Sequence, residues 1–246
     1  MTIQLSDLKD FLLEYQGSII YIFEFVASVT GTLYLRKTTD FTYKPIVLYL
    51  WFTFFMEICS NFSRFFRNNY DLQWYLYLKN SVFCYNVWFF NIREYVAVVI
   101  VGVFYLRLMS KVRHRKLIRL LIVIYTIGTM FYFITNPDEF FVWEVPYNYL
   151  FSTFIVFLFA LLYFKELLRS DSLLEFYKMP AFYITIGLMF WYSCAMPFLV
   201  YYSHLNGEIN ISFGVFTQQL LFVINLITYS CFIFGFVYGR KTYKEI

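Results

Sequence analysis

The chain has 246 residues, of which 61% are hydrophobic and 15% are charged, and its net charge is +4. Because a soluble domain carries about 25% charged residues, this composition is typical of a membrane protein and argues against an ordinary soluble domain. The positive charge lies mainly in short segments between apolar stretches, so it does not indicate nucleic-acid binding.

Seven apolar segments follow one another along the chain, and each is close to the ~20 residues that cross a bilayer core. They are residues 17–35, 45–63, 84–106, 118–135, 147–164, 181–202 and 213–237. The sequence therefore predicts an all-α, polytopic membrane protein with the whole chain, 1–246, forming a single seven-transmembrane-helix bundle. The connecting segments are too short to hold a separate soluble catalytic domain.

Basic residues alternate between the two sides of the predicted bundle. Fifteen of the twenty Lys and Arg residues lie on one side, in segments 36–44, 107–117 and 165–180, at the start of the fourth apolar segment and in the tail after 237. The opposite side holds four. Short loops rich in Lys and Arg stay in the cytoplasm, so we expect the N-terminus outside and the C-terminus in the cytoplasm. Segment 107–117 would then face anionic lipid or a cytoplasmic signalling partner.

Four charged residues lie well inside the apolar segments, namely Glu24, Glu57, Arg93 and Glu94. A charge in hydrocarbon is costly unless it pairs, reaches the interface or faces a wet cavity. With the predicted topology and a rise of 1.5 Å per residue, all four lie ~9–15 Å below the outer boundary. We therefore predict that they meet in one layer.

Polar residues extend this layer on two of the segments. Asn86 shares a helical face with Arg93, Asn91 lies three residues before Glu94, and Gln218 and Asn225 are seven residues apart. The pattern predicts a polar pocket, open to the outside, that binds a small ligand or ion between the first, second, third and seventh segments. Its predicted ligand-binding residues are Glu24, Glu57, Asn86, Asn91, Arg93, Glu94, Gln218 and Asn225. The alternative is that these charges pair across helices only to hold the bundle together.

Residues that catalysis and metal binding require are scarce. The only histidines are His114 and His204, no Asp lies in an apolar segment, and no GxSxG motif is present. These observations exclude a histidine-ligated haem, an HExxH zinc site and an intramembrane aspartyl pair. The sequence therefore predicts no cofactor or metal and does not favour an enzyme.

Four cysteines lie in or at the apolar segments without a CxxC pair. Cys59 and Cys84 both fall near outer ends and could form a disulfide in an oxidising compartment. The alternative is that they remain free thiols, as buried cysteines commonly do.

The chain uses Phe, Tyr, Asn, Ile and Lys heavily and contains the segments Asn91-Ile-Arg-Glu94 and Met179-Pro-Ala-Phe-Tyr-Ile-Thr-Ile-Gly187. In these features it resembles uncharacterised seven-span membrane proteins of Bacteroidota-type bacteria. Seven-span chains with an outside N-terminus also resemble the sensor modules of bacterial receptors coupled to histidine kinases. The resemblance implies a location in the bacterial cytoplasmic (inner) membrane.

We therefore expect a sensor or receptor-like protein that takes a ligand or ion from outside and signals through a separate cytoplasmic partner. The first alternative is a small-solute or ion transporter that uses the same charged layer. A structural subunit of a membrane complex, or a membrane enzyme, is the further alternative.

Overall fold

The computed structural model describes residues 5–38, 41–62, 76–77, 79, 81–83, 86–142, 145–204 and 211–242. Within these ranges the chain is helical and has no strand. The α-helices are α1 Leu5–Leu35, α2 Lys44–Ser60, α3 Val87–Leu108, α4 Val112–Thr135, α5 Pro137–Val142, α6 Pro146–Leu167, α7 Pro180–His204 and α8 Ile211–Thr242. Short 3₁₀ helices span Phe41–Tyr43 and Asp171–Lys178. The predicted all-α fold is confirmed.

Six helices in the described part of the chain are long and apolar enough to cross a membrane. Their candidate spans are Tyr15–Leu35, Val87–Leu108, Val112–Thr135, Tyr147–Leu167, Pro180–Tyr201 and Phe213–Gly239. The protein is thus an integral membrane protein with transmembrane helices.

The second predicted segment, 45–63, gives a shorter helix than expected. Helix α2 has 17 residues, which corresponds to ~25 Å at 1.5 Å per residue, whereas the hydrocarbon core is ~30 Å thick. Residues 63–75, which follow it closely, lie outside the described residues. The seventh span and the sidedness of the termini therefore stay predictions.

Proline fixes where several helices begin. Pro45, Pro137, Pro146 and Pro180 each lie in the first turn of a helix, where the missing N–H has no intrahelical acceptor and the fixed φ suits the helix. Pro197 is different, because α7 continues through it to His204. The connections that the sequence marks with proline are thus real helix boundaries.

The helices pack as a ring. Helices α1, α2, α3, α6, α7 and α8 each contact the next in this order, and α8 returns to α1. Helix α4 packs outside the ring against α3 and α6, and a smaller share of it is buried than of any other candidate span. Such an arrangement leaves an interior that side chains from six helices must fill.

One end of this interior is filled by aromatic rings. We call it the basic end, because it carries residues 36–38, 41–44, 107–117 and 165–180, and we call the opposite end the amino-terminal end. At the basic end, Tyr34 lies 5.2 Å from Tyr43 and 5.6 Å from Phe236 between ring centroids, and Phe104 joins the cluster. All four rings are buried, so the ring of helices is closed at the basic end.

Candidate functional site

A cavity of about 180 Å³ lies inside the ring of helices, nearer the amino-terminal end. Helix α2 contributes Tyr49, Thr53 and Glu57, which are four residues apart and share one face. Glu24 enters from α1, and Asn225 enters from α8. Arg93 and Glu94 of α3 line it as well, so all four intramembrane charges line one cavity.

An ion pair joins α2 to α3 at this cavity. Nη1 of Arg93 donates a hydrogen bond to Oε1 of Glu57, and the two side chains are 15% and 26% exposed. The guanidinium carbon of Arg93 also lies 4.8 Å from the ring centroid of Phe90, within the range of a cation–π contact. Glu57 is therefore the direct counter-ion of Arg93.

Glu24 is more deeply buried, with only 2% of the residue exposed. The hydroxyl of Tyr229 donates to its Oε1 at 2.8 Å and so links α1 to α8. Its other oxygen, Oε2, has no hydrogen-bond partner among the described residues. Since a buried polar atom without a partner is costly, this oxygen marks a place that a ligand, ion or water can satisfy.

Glu94 has a similar arrangement on the next helix pair. It is 2% exposed, and the hydroxyl of Tyr192 donates to its Oε1 at 3.1 Å. This bond joins α3 to α7. Tyrosine hydroxyls thus hold two of the three carboxylates, each across a helix boundary.

The charges that line the cavity do not balance. When ionised, Glu24, Glu57 and Glu94 carry three negative charges, and Arg93 carries the one positive charge that the lining contains among the described residues. No group of three or more His, Cys, Asp or Glu in the described part of the chain has the spacing to hold a metal ion. In that ionisation state the three carboxylates outnumber the single guanidinium of the lining.

Three predicted residues do not line the cavity. Asn91 is fully buried on another face of α3, where its Nδ2 donates to the carbonyl oxygen of Phe140 at 3.0 Å and its Oδ1 accepts from the backbone N–H of Val145. Asn86 donates to the carbonyl oxygen of Ser60 at 3.2 Å and joins the end of α2 to the start of α3. These asparagines bind backbone groups of neighbouring elements and are not among the residues that line the cavity.

Gln218 is the third residue that does not line the cavity. It shares a face of α8 with Asn225 but lies ~10 Å nearer the amino-terminal end, and its side chain is exposed. Asn225, in contrast, lines the cavity and accepts a hydrogen bond from Nε1 of Trp191 at 3.0 Å. The helical register alone does not give the depth at which the cavity ends.

Helix α7 also contributes to the site, which the sequence did not indicate. Trp191 lines the cavity and Tyr192 binds Glu94, yet neither belongs to the predicted pocket. A quarter of the chain is aromatic, so composition offers no way to single out two rings. The only available signal was chemical, because an intramembrane carboxylate needs a hydroxyl donor nearby.

The cavity is closed on the side of the basic end. Ala27 and Ser28, just below Glu24 on α1, are fully buried. A Cβ on Gly31 would lie 2.9 Å from Val47, so α1 and α2 are in close contact here. Towards the amino-terminal end, Gly17 is exposed and lines the cavity. Among the described residues, the cavity is thus closed towards the basic end and reaches an exposed residue towards the amino-terminal end.

The predicted disulfide can be addressed for one of its two residues. Cys59 is an exposed free thiol, and Cys194 and Cys231 are free thiols that are partly buried. Cys84 lies outside the described residues.

Fold and site together define a helical integral membrane protein with a charged intramembrane cavity. No protein-family description matches the chain, and neither a curated protein nor a solved structure is significantly similar to it. The resemblance to Bacteroidota-type seven-span proteins therefore stays a prediction.

Proposed function

We propose that the protein is a sensor or receptor-like protein of the bacterial cytoplasmic membrane that binds a small organic cation in this cavity. The observation that carries the proposal is the carboxylate of Glu24, which is buried, lines the cavity and has one oxygen without a partner among the described residues. A cation next to this oxygen would satisfy it and would reduce the excess of negative charge.

The size and lining of the cavity support a small ammonium compound as the ligand. A cavity of about 150 Å³ accommodates a benzene-sized molecule, and this one measures about 180 Å³. Trp191 and Tyr49 line the cavity together with the carboxylates, and aromatic rings attract cations through their π faces. We therefore infer that methylated amines bind better than a bare alkali ion.

The distribution of basic residues supports ligand entry from outside. The basic end would face the cytoplasm by the positive-inside rule, so the amino-terminal end, where the cavity opens, would face outward. In this proposal α2 is also a span, which brings the number of spans to seven.

Continuous helices favour a receptor over a carrier. Carriers commonly build the binding site from helices that break at mid-membrane. Here α1, α7 and α8 are continuous over 31, 25 and 32 residues, and each contributes to the cavity wall. Pro197 lies inside α7, but the helix continues through it, so none of the three helices is interrupted in the way that is common in carriers.

Helix α3 would carry the signal to the cytoplasmic side. It holds Arg93 and Glu94 at the cavity, and it ends ~20 Å away at the loop that starts with Met109. The carboxylate of Glu166 accepts hydrogen bonds from the backbone N–H groups of Ser110 and Lys111 in this loop. A shift of α3 on ligand binding would therefore reach segment 107–117, where we place the partner.

Thermal unfolding of the purified protein in nanodiscs tests the proposal. The probes are tetramethylammonium, methylammonium, guanidinium and sodium as chlorides. A ligand at one hundred times its Kd stabilises by about 2.7 kcal/mol, which for a chain of this size raises the Tm by roughly 5–10 °C. We expect this for the methylated amines with the wild type, no shift for Glu24→Gln, and an unchanged shift for Glu175→Gln, an exposed control outside the cavity.

The proposal fails if no organic cation shifts the Tm of the wild type, or if Glu24→Gln responds as the wild type does. Glu175→Gln distinguishes a specific loss from a general effect of removing one negative charge.

A small-solute or ion transporter is the second candidate, and the same half-paired Glu24 favours it, because intramembrane carboxylates often carry protons or ions. Proteoliposomes separate the two proposals. A receptor binds the methylated amine without flux, whereas a transporter accumulates it in a manner that Glu24→Gln abolishes.

A further inference from the structure

A second cavity, of about 430 Å³, lies on the outside of the bundle at the basic end. It is formed by the turn before α2, the end of α3 and the start of α4. Its lining residues are Phe41, Thr42, Leu106, Arg107, Arg115 and Arg119. We call it the arginine groove.

The three guanidinium groups of this groove keep most of their donors free. Nη1 of Arg107 donates to the carbonyl oxygen of Phe41 at 3.0 Å, and Nε of Arg115 donates to the carbonyl oxygen of Met109 at 2.6 Å. Arg119 has no hydrogen-bond or ion-pair partner among the described residues. Since each guanidinium has five N–H donors, the groove offers many unused donors around one space.

No carboxylate among the described residues lines the arginine groove. The carboxylate of Glu166, which lies at the same end of the bundle, is already occupied by the loop 110–111 and by Nδ1 of His114 at 2.6 Å. Among the described residues, no carboxylate of the groove offsets the positive charge of its three guanidinium groups.

Topology alone does not explain this convergence. Lys111, Arg113 and Lys116 are exposed and can mark the cytoplasmic side without sharing a cavity. Arg115 and Arg119 are exposed as well, but they line the groove together and are four residues apart on α4, where like charges repel each other. An anion between them would be attracted to both guanidinium groups and would offset this repulsion.

Apolar surface continues from the groove along α4. Leu120, Val123 and Ile127 are exposed, as is Phe41 at the rim of the groove. In a transmembrane helix these side chains face lipid tails. The occupant that fits both features has an anionic head and an apolar body.

We propose that the arginine groove binds the phosphate group of an anionic phospholipid, whose acyl chains lie along the exposed face of α4. Guanidinium groups bind phosphate oxygens in a bidentate manner, and basic pockets at the cytoplasmic side of helical bundles suit such head groups. The lipid would link α4 to the ring of helices at the point where α3 ends. This site is separate from the proposed cation cavity and does not depend on it.

Native mass spectrometry of the detergent-purified protein tests the proposal by titration with phosphatidylglycerol and, separately, with phosphatidylcholine. We expect the wild type to bind one phosphatidylglycerol more tightly than phosphatidylcholine. Arg119→Gln should weaken this binding about five-fold, the order expected for one basic residue near an anionic lipid surface. Arg119→Lys, which keeps the charge and loses the planar fork, should fall in between.

Arg113→Gln is the matched control, because it removes the same charge from an exposed position on α4 outside the groove. It should change the affinity less than two-fold. Equal losses for Arg113→Gln and Arg119→Gln would overturn the proposal, as would equal binding of the two lipids to the wild type. A parallel titration with inorganic phosphate distinguishes the sources of the phosphate group. Displacement of phosphatidylglycerol only at large excess supports a lipid site, whereas tight phosphate binding without any lipid preference contradicts it.

Discussion

Replacement of Arg93 by Gln tests the charge arrangement of the cavity most sharply. The variant removes the direct counter-ion of Glu57 and leaves three carboxylates without the guanidinium that offsets them. Removing one partner of a fully buried ion pair costs about 3–5 kcal/mol. Because the two side chains are 15% and 26% exposed, solvent screens part of this cost, and we expect a loss of about 2–3 kcal/mol.

Glu57→Gln should be much milder. The Gln side chain can still accept a hydrogen bond from Arg93, and the cavity becomes less negative rather than more. We expect a loss below about 1 kcal/mol, and the double variant Arg93→Gln/Glu57→Gln should be more stable than Arg93→Gln alone. A coupling energy of about 1–2 kcal/mol between the two positions is typical of residues in one ion pair.

Thermal unfolding in detergent, followed by circular dichroism, measures these effects. For a chain of this size, 2–3 kcal/mol corresponds to a fall in Tm of roughly 5–10 °C. Lys178→Gln breaks the exposed ion pair with Glu175 and should leave the Tm unchanged, because solvent screens that pair. If Arg93→Gln unfolds at the wild-type temperature, or if the double variant is no better than the single one, the ion pair does not hold α2 to α3.

Three further predictions compare stability by the same unfolding assay. Tyr229→Phe should lower the free energy of unfolding by about 1–3 kcal/mol, since it removes the donor to a buried carboxylate. Tyr163→Phe removes a buried hydroxyl without a partner among the described residues and should be neutral or stabilising. Equal losses of stability would contradict the bond to the carboxylate. Gly31→Ala should destabilise the fold by about 1–3 kcal/mol, because its Cβ would lie 2.9 Å from a neighbouring side chain. Gly17→Ala meets nothing within 4 Å and should stabilise the fold by up to about 1 kcal/mol. A Gly31→Ala variant as stable as the wild type would show that α1 and α2 are loosely packed below the cavity. Glu166→Ala should cost about 1–3 kcal/mol and should speed hydrogen exchange at the two backbone amides that the carboxylate binds; unchanged exchange would refute this role.

The gathering of the charges was predictable from the sequence for a simple physical reason. Charges are costly in hydrocarbon, so Glu24, Glu57, Arg93 and Glu94 are expected to pair with one another or to contact water. Hydrophobic length gave the positions of the spans, and the distance from the span ends gave a common depth. The structure brings these four residues to one cavity.

The roles of the neutral polar residues were not predictable in this way. Asn91 shares its helix with Arg93, but its partners are backbone groups of the connection between α4 and α6, which the sequence does not locate. An amide side chain satisfies backbone groups as readily as it lines a pocket. Only the packing of neighbouring helices decides between these outcomes.

The hydrogen-bond donors of the carboxylates were not predictable from the sequence for a different reason. Tyr192 and Tyr229 are two of 24 tyrosines, and their donors reach Glu94 and Glu24 from helices 98 and 205 residues away in sequence. Helical periodicity tells which residues share a face of one helix but not which helices are neighbours. The closed ring that brings α8 back to α1 supplies this missing information.

Water access to the cavity from one end is the central claim, and cysteine labelling measures it directly. In a variant without the native cysteines, Thr53→Cys places a thiol in the cavity, and Phe55→Cys places one on the exposed apolar face of the same helix. A membrane-impermeant thiol reagent should modify Thr53→Cys from the side of the amino-terminal end and not from the basic end, and Phe55→Cys should not react from either side. Labelling of Thr53→Cys from the basic end, or no faster than Phe55→Cys, would contradict the account.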